Sequence, residues 1–139
     1  MLIGQYQHTV DGKGRVFVPA RFRADLQGEL VVVRGLGEWA VLYNKEQWES
    51  FIKKLETYGE MQMKKIKRFI LASAFSTELD AQGRIVIPAN LKAYAQLVKD
   101  VVVVGVSGRA EIWDAALWDG NQEDTSSEEV VALMTELGF

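Results

Sequence analysis

Short apolar runs recur in the same order twice along the chain. The first set is Val16-Phe17-Val18, "ELVVV" (29–33), "WAVLY" (39–43) and the spaced positions Trp48, Phe51, Ile52 and Leu55. The second is Ile85-Val86-Ile87, "DVVVV" (100–104), "RAEIW" (109–113) and a run ending at Trp118. Runs this short, rich in β-branched and aromatic residues and bounded by glycines, predict strands. Each set therefore reads as strand, tight turn, strand, short helix, strand, turn, strand, helix. Pro19 and Pro88, the only two prolines, follow the first apolar triplets. A proline lacks the N–H a ladder needs but suits the first position of a helix, so each should end a strand and open a short helix. Phe22 and Leu91 would then turn inward.

Helical spacing is strongest elsewhere. Asn44 and Gln47 have capping-box spacing before the Trp48, Phe51, Ile52 and Leu55 face. "MQMKKIKRFILASA" (61–74) links the two sets as a helical stretch carrying Lys64, Lys65, Lys67 and Arg68. Ser126 and Glu129 have the same capping spacing before "VVALMTEL", and Gly138 is placed to stop that helix. "DGNQEDT" (119–125) is polar and expected to be a loop.

The duplication is sharper at motif level. "DGKGRVFVPARFR" begins at Asp11 and "DAQGRIVIPANLK" at Asp80, 69 positions later. Upstream, "QYQHTVD" (5–11) lies over "AFSTELD" (74–80). Downstream, with one residue added, 31–48 lies over 101–118, equating Gly35 with Gly105, Tyr43 with Trp113 and Trp48 with Trp118. Two copies are too few for a solenoid, so the expectation is pseudo-twofold pairing of half-domains, 1–70 and 71–139. Neither half buries much core alone. The halves should interlock in an α+β fold, a small mixed β-barrel with flanking helices.

Why does Asp-x-x-Gly-Arg stand in both copies? A type I turn favours Asp first and Gly fourth, where glycine takes the left-handed conformation that closes a hairpin through a bulge. Backbone geometry thus accounts for Asp11, Gly14, Asp80 and Gly83. It does not account for Arg15 and Arg84. Two readings stand side by side: a clamp to the Asp four residues earlier, or a planar donor fork for phosphate, carboxylate or a guanine edge. Lys13, Arg21 and Arg23 in the first copy face Gln82, Asn90 and Lys92 in the second. The first copy should be the stronger anion contact.

Charge changes the picture further. The net charge is −3, yet residues 1–109 hold all 16 Lys and Arg against 11 acidic residues, or +5. Residues 110–139 hold eight acidic residues and no Lys or Arg, or −8. The chain contains no Cys and a single His, so thiolate chemistry and a clustered transition-metal site are excluded. No metal or cofactor is expected. No apolar run approaches a membrane span, and a cytoplasmic protein is the default.

The paired D-x-x-G-R motifs, each followed by three apolar residues and Pro-Ala, resemble those of the MraZ family of bacterial transcriptional regulators. The resemblance covers nearly the whole chain. It implies two AbrB-like swapped-hairpin modules and a nucleoid-associated protein that binds double-stranded DNA. It further implies recognition of tandem promoter repeats upstream of the division and cell-wall gene cluster, by a ring-like homo-oligomer. DNA contacts then fall on Arg15, with Lys13 beside it, and on Arg84, while Arg21 and Arg23 add positive charge nearby.

Other classes fare worse. His8 aligns with Thr77 and reads as a strand residue rather than a general base, and "GKGR" (12–15) lacks phosphate-loop spacing. Catalysis is not expected. The serious alternative is an oligomeric protein-interaction platform built on Trp39, Trp48, Trp113, Trp118 and the apolar helices. A platform has no need of duplicated arginine turns. Independently of the resemblance, apolar surface on the 46–55, 61–74 and 127–137 helices exceeds what so small a core should cover, which predicts self-association.

Overall fold

A computed structural model describes residues 1–121 and 126–139. Among them are eight strands: β1 Leu2–Thr9, β2 Arg15–Phe17, β3 Leu30–Arg34, β4 Ala40–Asn44, β5 Phe75–Thr77, β6 Arg84–Val86, β7 Asp100–Ser107 and β8 Ala110–Asp114. The helices are α1 Lys45–Leu55, α2 Glu60–Leu71, α3 Ala89–Tyr94, α4 Ala115–Gly120 and α5 Ser127–Glu136, with a 3-10 turn at Ala20–Phe22. The expected loop at 119–125 lies mostly outside the described residues, and Asp119 and Gly120 complete α4.

The strand order of the main sheet is β1-β7-β8-β4-β3-β5, and β2 pairs with β6 in a separate two-stranded ribbon. The first strand of each copy is thus carried to the other half: β1 pairs with β7, and β5 with β3. The pseudo-twofold relation is visible in the register, where Val16 faces Ile85 in the ribbon and Val41 faces Glu111 in the sheet. The halves interlock, as the size argument requires.

The expected closed, mixed barrel is not what forms. Every named strand pair is antiparallel, and β1 and β5 lie at opposite ends of an open sheet. Closure would need those two strands to be neighbours. Instead each is followed by its Asp-x-x-Gly-Arg turn, and the short strands beyond the turns pair with each other. The sheet edges are limited by other means, since β5 has only three residues.

One further correction concerns the duplication. Leu30 faces Asn44 while Val101 faces Asp114, and Arg34 faces Ala40 while Gly105 faces Ala110. Gly105 is therefore the counterpart of Arg34, not of Gly35, and the extra residue sits in the β3–β4 loop. Side chains alternate along a strand, so a slip of one would have sent Val32 and Val103 to the wrong face.

The main core lies between the inner face of the sheet and the ribbon. Val16, Val18, Phe22, Leu42, Ile85, Ile87, Leu91 and Ile112 are each essentially inaccessible there. Phe22 and Leu91 turn inward as expected, although Pro19 and Pro88 occupy the capping position just before the helical residues rather than the first turn itself. The opposite sheet face is covered by helices. Trp48 and Phe51 of α1 pack on Tyr43 of β4, while Trp39 stacks on Trp113 at 4.5 Å and Trp118 meets Trp113 edge-on. The four tryptophans are thus engaged in joining helices to sheet. The Asn44 side chain accepts from the Gln47 N–H at 2.8 Å, which caps α1.

α5 stands apart. Ser126 Oγ accepts from the Glu129 N–H at 3.5 Å to start it, yet none of its residues is buried.

Candidate nucleic-acid interface

Both arginine turns have the same construction. Asp11 Oδ1 accepts from the backbone N–H groups of Lys13 and Arg15, each at 2.9 Å, and the Gly14 N–H donates to the Asp11 carbonyl at 3.0 Å. Asp80 Oδ1 accepts from Gln82 and Arg84 at 2.9 Å, and the Gly83 N–H donates to the Asp80 carbonyl at 3.0 Å. Gly14 and Gly83 have φ of 80° and 81°, the left-handed region where a Cβ is strained. Close approach adds a second requirement. The Gly14 carbonyl accepts from the Ile87 N–H at 2.7 Å, and a Cβ on Gly14 would press into the Ile87 carbonyl oxygen.

The clamp reading of the arginines describes one edge of each guanidinium. Arg15 Nε donates to Asp11 Oδ2 at 2.6 Å, and Arg84 Nε to Asp80 Oδ2 at 2.8 Å. Among the described residues no hydrogen bond occupies the terminal amino groups of either fork. A clamp through Nε fixes the side chain and leaves the end that makes bidentate contacts available. Pre-organisation and ligand contact are compatible here.

Alternation along the ribbon settles which residues share a face. Val16 and Ile85 point into the core, so Arg15, Phe17, Arg84 and Val86 lie together on the outer face. Phe17 and Val86 are 38% and 41% exposed, and the Arg84 guanidinium lies 5.7 Å from the Phe17 ring centroid. Arg15 and Arg84 are diagonal cross-strand neighbours, about 7–8 Å apart at the backbone. Two base-pair steps span a similar distance, at about 3.4 Å each.

The remaining predicted residues distribute around this face. Lys13 is exposed at the first turn, and Arg21 is exposed on the 3-10 turn. Arg23 is not beside Arg15. Its Nε donates to the Val18 carbonyl at 3.0 Å, and its guanidinium packs against Gly83 of the second turn. Lys92 approaches Gly14 in the mirrored way. Each copy therefore lends one basic side chain to the other copy's turn. Phe17 and Val86 escaped the motif-based reading, although the period-two alternation of a strand was the available signal; Lys92, the counterpart of Arg23 in the second motif, was not singled out as a contact. His8 sits in β1 as expected, 6.3 Å from the Phe17 ring. Burial, followed by the nearby Arg23 charge, lowers its pKa, so it adds no cation to the face at neutral pH.

Hydrogen bonding also controls the turn carboxylates. The Arg15 backbone N–H, reinforced by its side chain and by Lys13, lowers the Asp11 pKa from 3.8 to about 2 against a smaller opposing effect of burial. The Asp80 pKa is lowered for the corresponding reasons, led by the Arg84 backbone N–H. A depressed folded-state pKa means that the stabilisation is fully present above about pH 3.8 and is lost as pH falls through about 2. A carboxyl-carbon NMR titration of Asp11 should accordingly have its midpoint near 2. A midpoint near 3.8 would mean that the turn is not clamped in solution.

This geometry can be set beside known proteins. The family model described as "MraZ protein, putative antitoxin-like" matches residues 1–67 and again 70–136. The chain belongs to the MraZ family. The protein named transcriptional regulator MraZ from Thermoanaerobacter pseudethanolicus is 43% identical over an alignment of 143 positions, covering all of both chains. The one from Acetivibrio thermocellus is 39% identical over an alignment of 143 positions, again with full coverage of both. The one from Desulfitobacterium hafniense strain Y51 is 46% identical over 120 residues, covering 85% of this chain and 84% of its own. These MraZ relatives are named as regulators of transcription, not as enzymes. No helix among the described residues is long and apolar enough to cross a membrane.

Proposed function

We propose that the protein is a sequence-specific DNA-binding transcriptional regulator that reads short tandem repeats in a promoter, through the outer face of the β2–β6 ribbon. The carrying observation is that Arg15 and Arg84, each fixed through Nε, share the outer face of the ribbon, and that among the described residues no hydrogen bond occupies their terminal amino groups. A two-stranded ribbon fits the major groove, and a bidentate arginine there reads the O6/N7 edge of guanine. Lys13, Arg21, Arg23 and Lys92 supply the surrounding positive charge for phosphates. In this reading the two halves are AbrB-like swapped-hairpin modules, 1–70 and 71–139. The protein works in the cytoplasm at the nucleoid, as a ring-like homo-oligomer on repeats upstream of the division and cell-wall genes.

The deciding experiment is a footprint on DNA upstream of the protein's own gene. Protection of regularly spaced boxes by the wild-type chain, lost in the folded Arg15→Ala/Arg84→Ala chain, supports the reading. Equal protection by both removes it. A protein-interaction platform stays as the second reading because exposed apolar side chains remain on α2 and α5, among them Met61, Val131 and Leu133.

A further inference from the structure

α5 and its capping residue Leu137 place Val130, Leu133, Met134 and Leu137 at i, i+3, i+4 and i+7, the spacing of a helix that lays one face in a groove. Leu133 is 58% exposed and Leu137 74%, and among the described residues none of the stripe is buried. The helix is also acidic throughout, with Glu128, Glu129 and Glu136 and no Lys or Arg.

A receptor of the opposite character lies on the first half. Between the sheet, α1 and α2 is a cavity of about 350 Å³ whose walls include Trp39, Phe51, Leu55 and Tyr58. Arg34, Lys54 and Arg109 also line it, against the single carboxylate Glu111. None of these three cations forms an ion pair among the described residues, and Glu111 already accepts from Trp113 Nε1 at 3.0 Å.

We infer that α5 of one copy docks in the α1–α2 groove of a second copy, its leucine and methionine side chains in the cavity and its glutamates against the Arg34, Lys54 and Arg109 rim. Acidic helix and basic groove are different surfaces, so the contact is heterologous. Repeated head to tail, such a contact closes into a ring or runs on as a filament. The inference rests on the self-association proposed above and supplies its interface.

Sedimentation velocity on the full chain separates the possibilities. The wild type should sediment as a multiple of 15.6 kDa. Leu133→Asp/Met134→Asp should weaken association at least tenfold, as loss of a central apolar anchor does, without lowering the thermal midpoint of the body. Glu128→Lys/Glu129→Lys should also weaken it, and adding Lys54→Glu/Arg109→Glu to that chain should restore part of the loss. A wild-type monomer would overturn both the docking and the self-association. Undiminished assembly by the α5 variants would overturn the docking alone. If Lys54→Glu/Arg109→Glu has no effect on either background, α5 docks somewhere other than this groove, and the inference fails.

Discussion

Inserting about five base pairs between two adjacent boxes should lower the affinity of the oligomer for that DNA by roughly 10²–10⁴. One ribbon presents few contacts, so a single subunit on a single box binds weakly. A second ribbon on the same assembly makes the next contact intramolecular, at a high effective concentration. That gain needs both boxes on one face of the duplex, where contacts recur about every 10–10.5 base pairs. Five added base pairs turn the second box to the far side; ten should bring back part of the gain. Anisotropy titrations across spacer lengths must share one salt concentration, because each phosphate contact makes affinity salt-dependent. A flat response to spacing would mean that subunits bind their boxes independently.

Arg15→Ala should weaken binding about 5- to 150-fold, the equivalent of roughly 1–3 kcal/mol for a lost bidentate base contact. Arg84→Ala should weaken it less. The reason differs from the one the motifs suggest, because Arg23 packs on the Gly83 turn rather than beside Arg15. What favours Arg15 is that its side chain is 34% exposed against 19% for Arg84, and that Lys13 stands where the second copy has Gln82. Either alanine also leaves its Asp without the side-chain partner, so thermal stability must be measured alongside. Equal losses would show that the ribbon is read as a symmetric unit. Unchanged binding by both folded variants would reduce the arginines to clamps.

Local features of this chain were legible because their causes are local. The turns at Asp11 and Asp80 follow from where an Asp side chain and a left-handed glycine are needed. The hairpins β3–β4 and β7–β8 follow from apolar runs joined by glycine-containing turns. Partner choice between strands was not legible, since periodicity says which face a strand buries and not which strand lies beside it. That is why β1 beside β7, β5 beside β3 and the open sheet emerged only in three dimensions. The one-residue difference between β3 and β7 was hidden for a related reason: four consecutive valines from Val101 to Val104 fit either register until their partners are known. At the site, the sequence singled out Arg15 and Arg84 but left clamp and ligand contact as rivals. The structure separates Nε from the terminal amino groups, a distinction no residue type encodes.

The most direct measurement of the central claim is photocrosslinking from the ribbon face. A photoreactive phenylalanine analogue at Phe17, between the two arginines, should crosslink to duplex DNA carrying the upstream boxes. The same analogue at Tyr58, beside the α1–α2 groove, should crosslink to protein and not to DNA. Crosslinks to DNA from position 58 with none from position 17 would contradict the assignment of the β2–β6 ribbon as the DNA-reading surface.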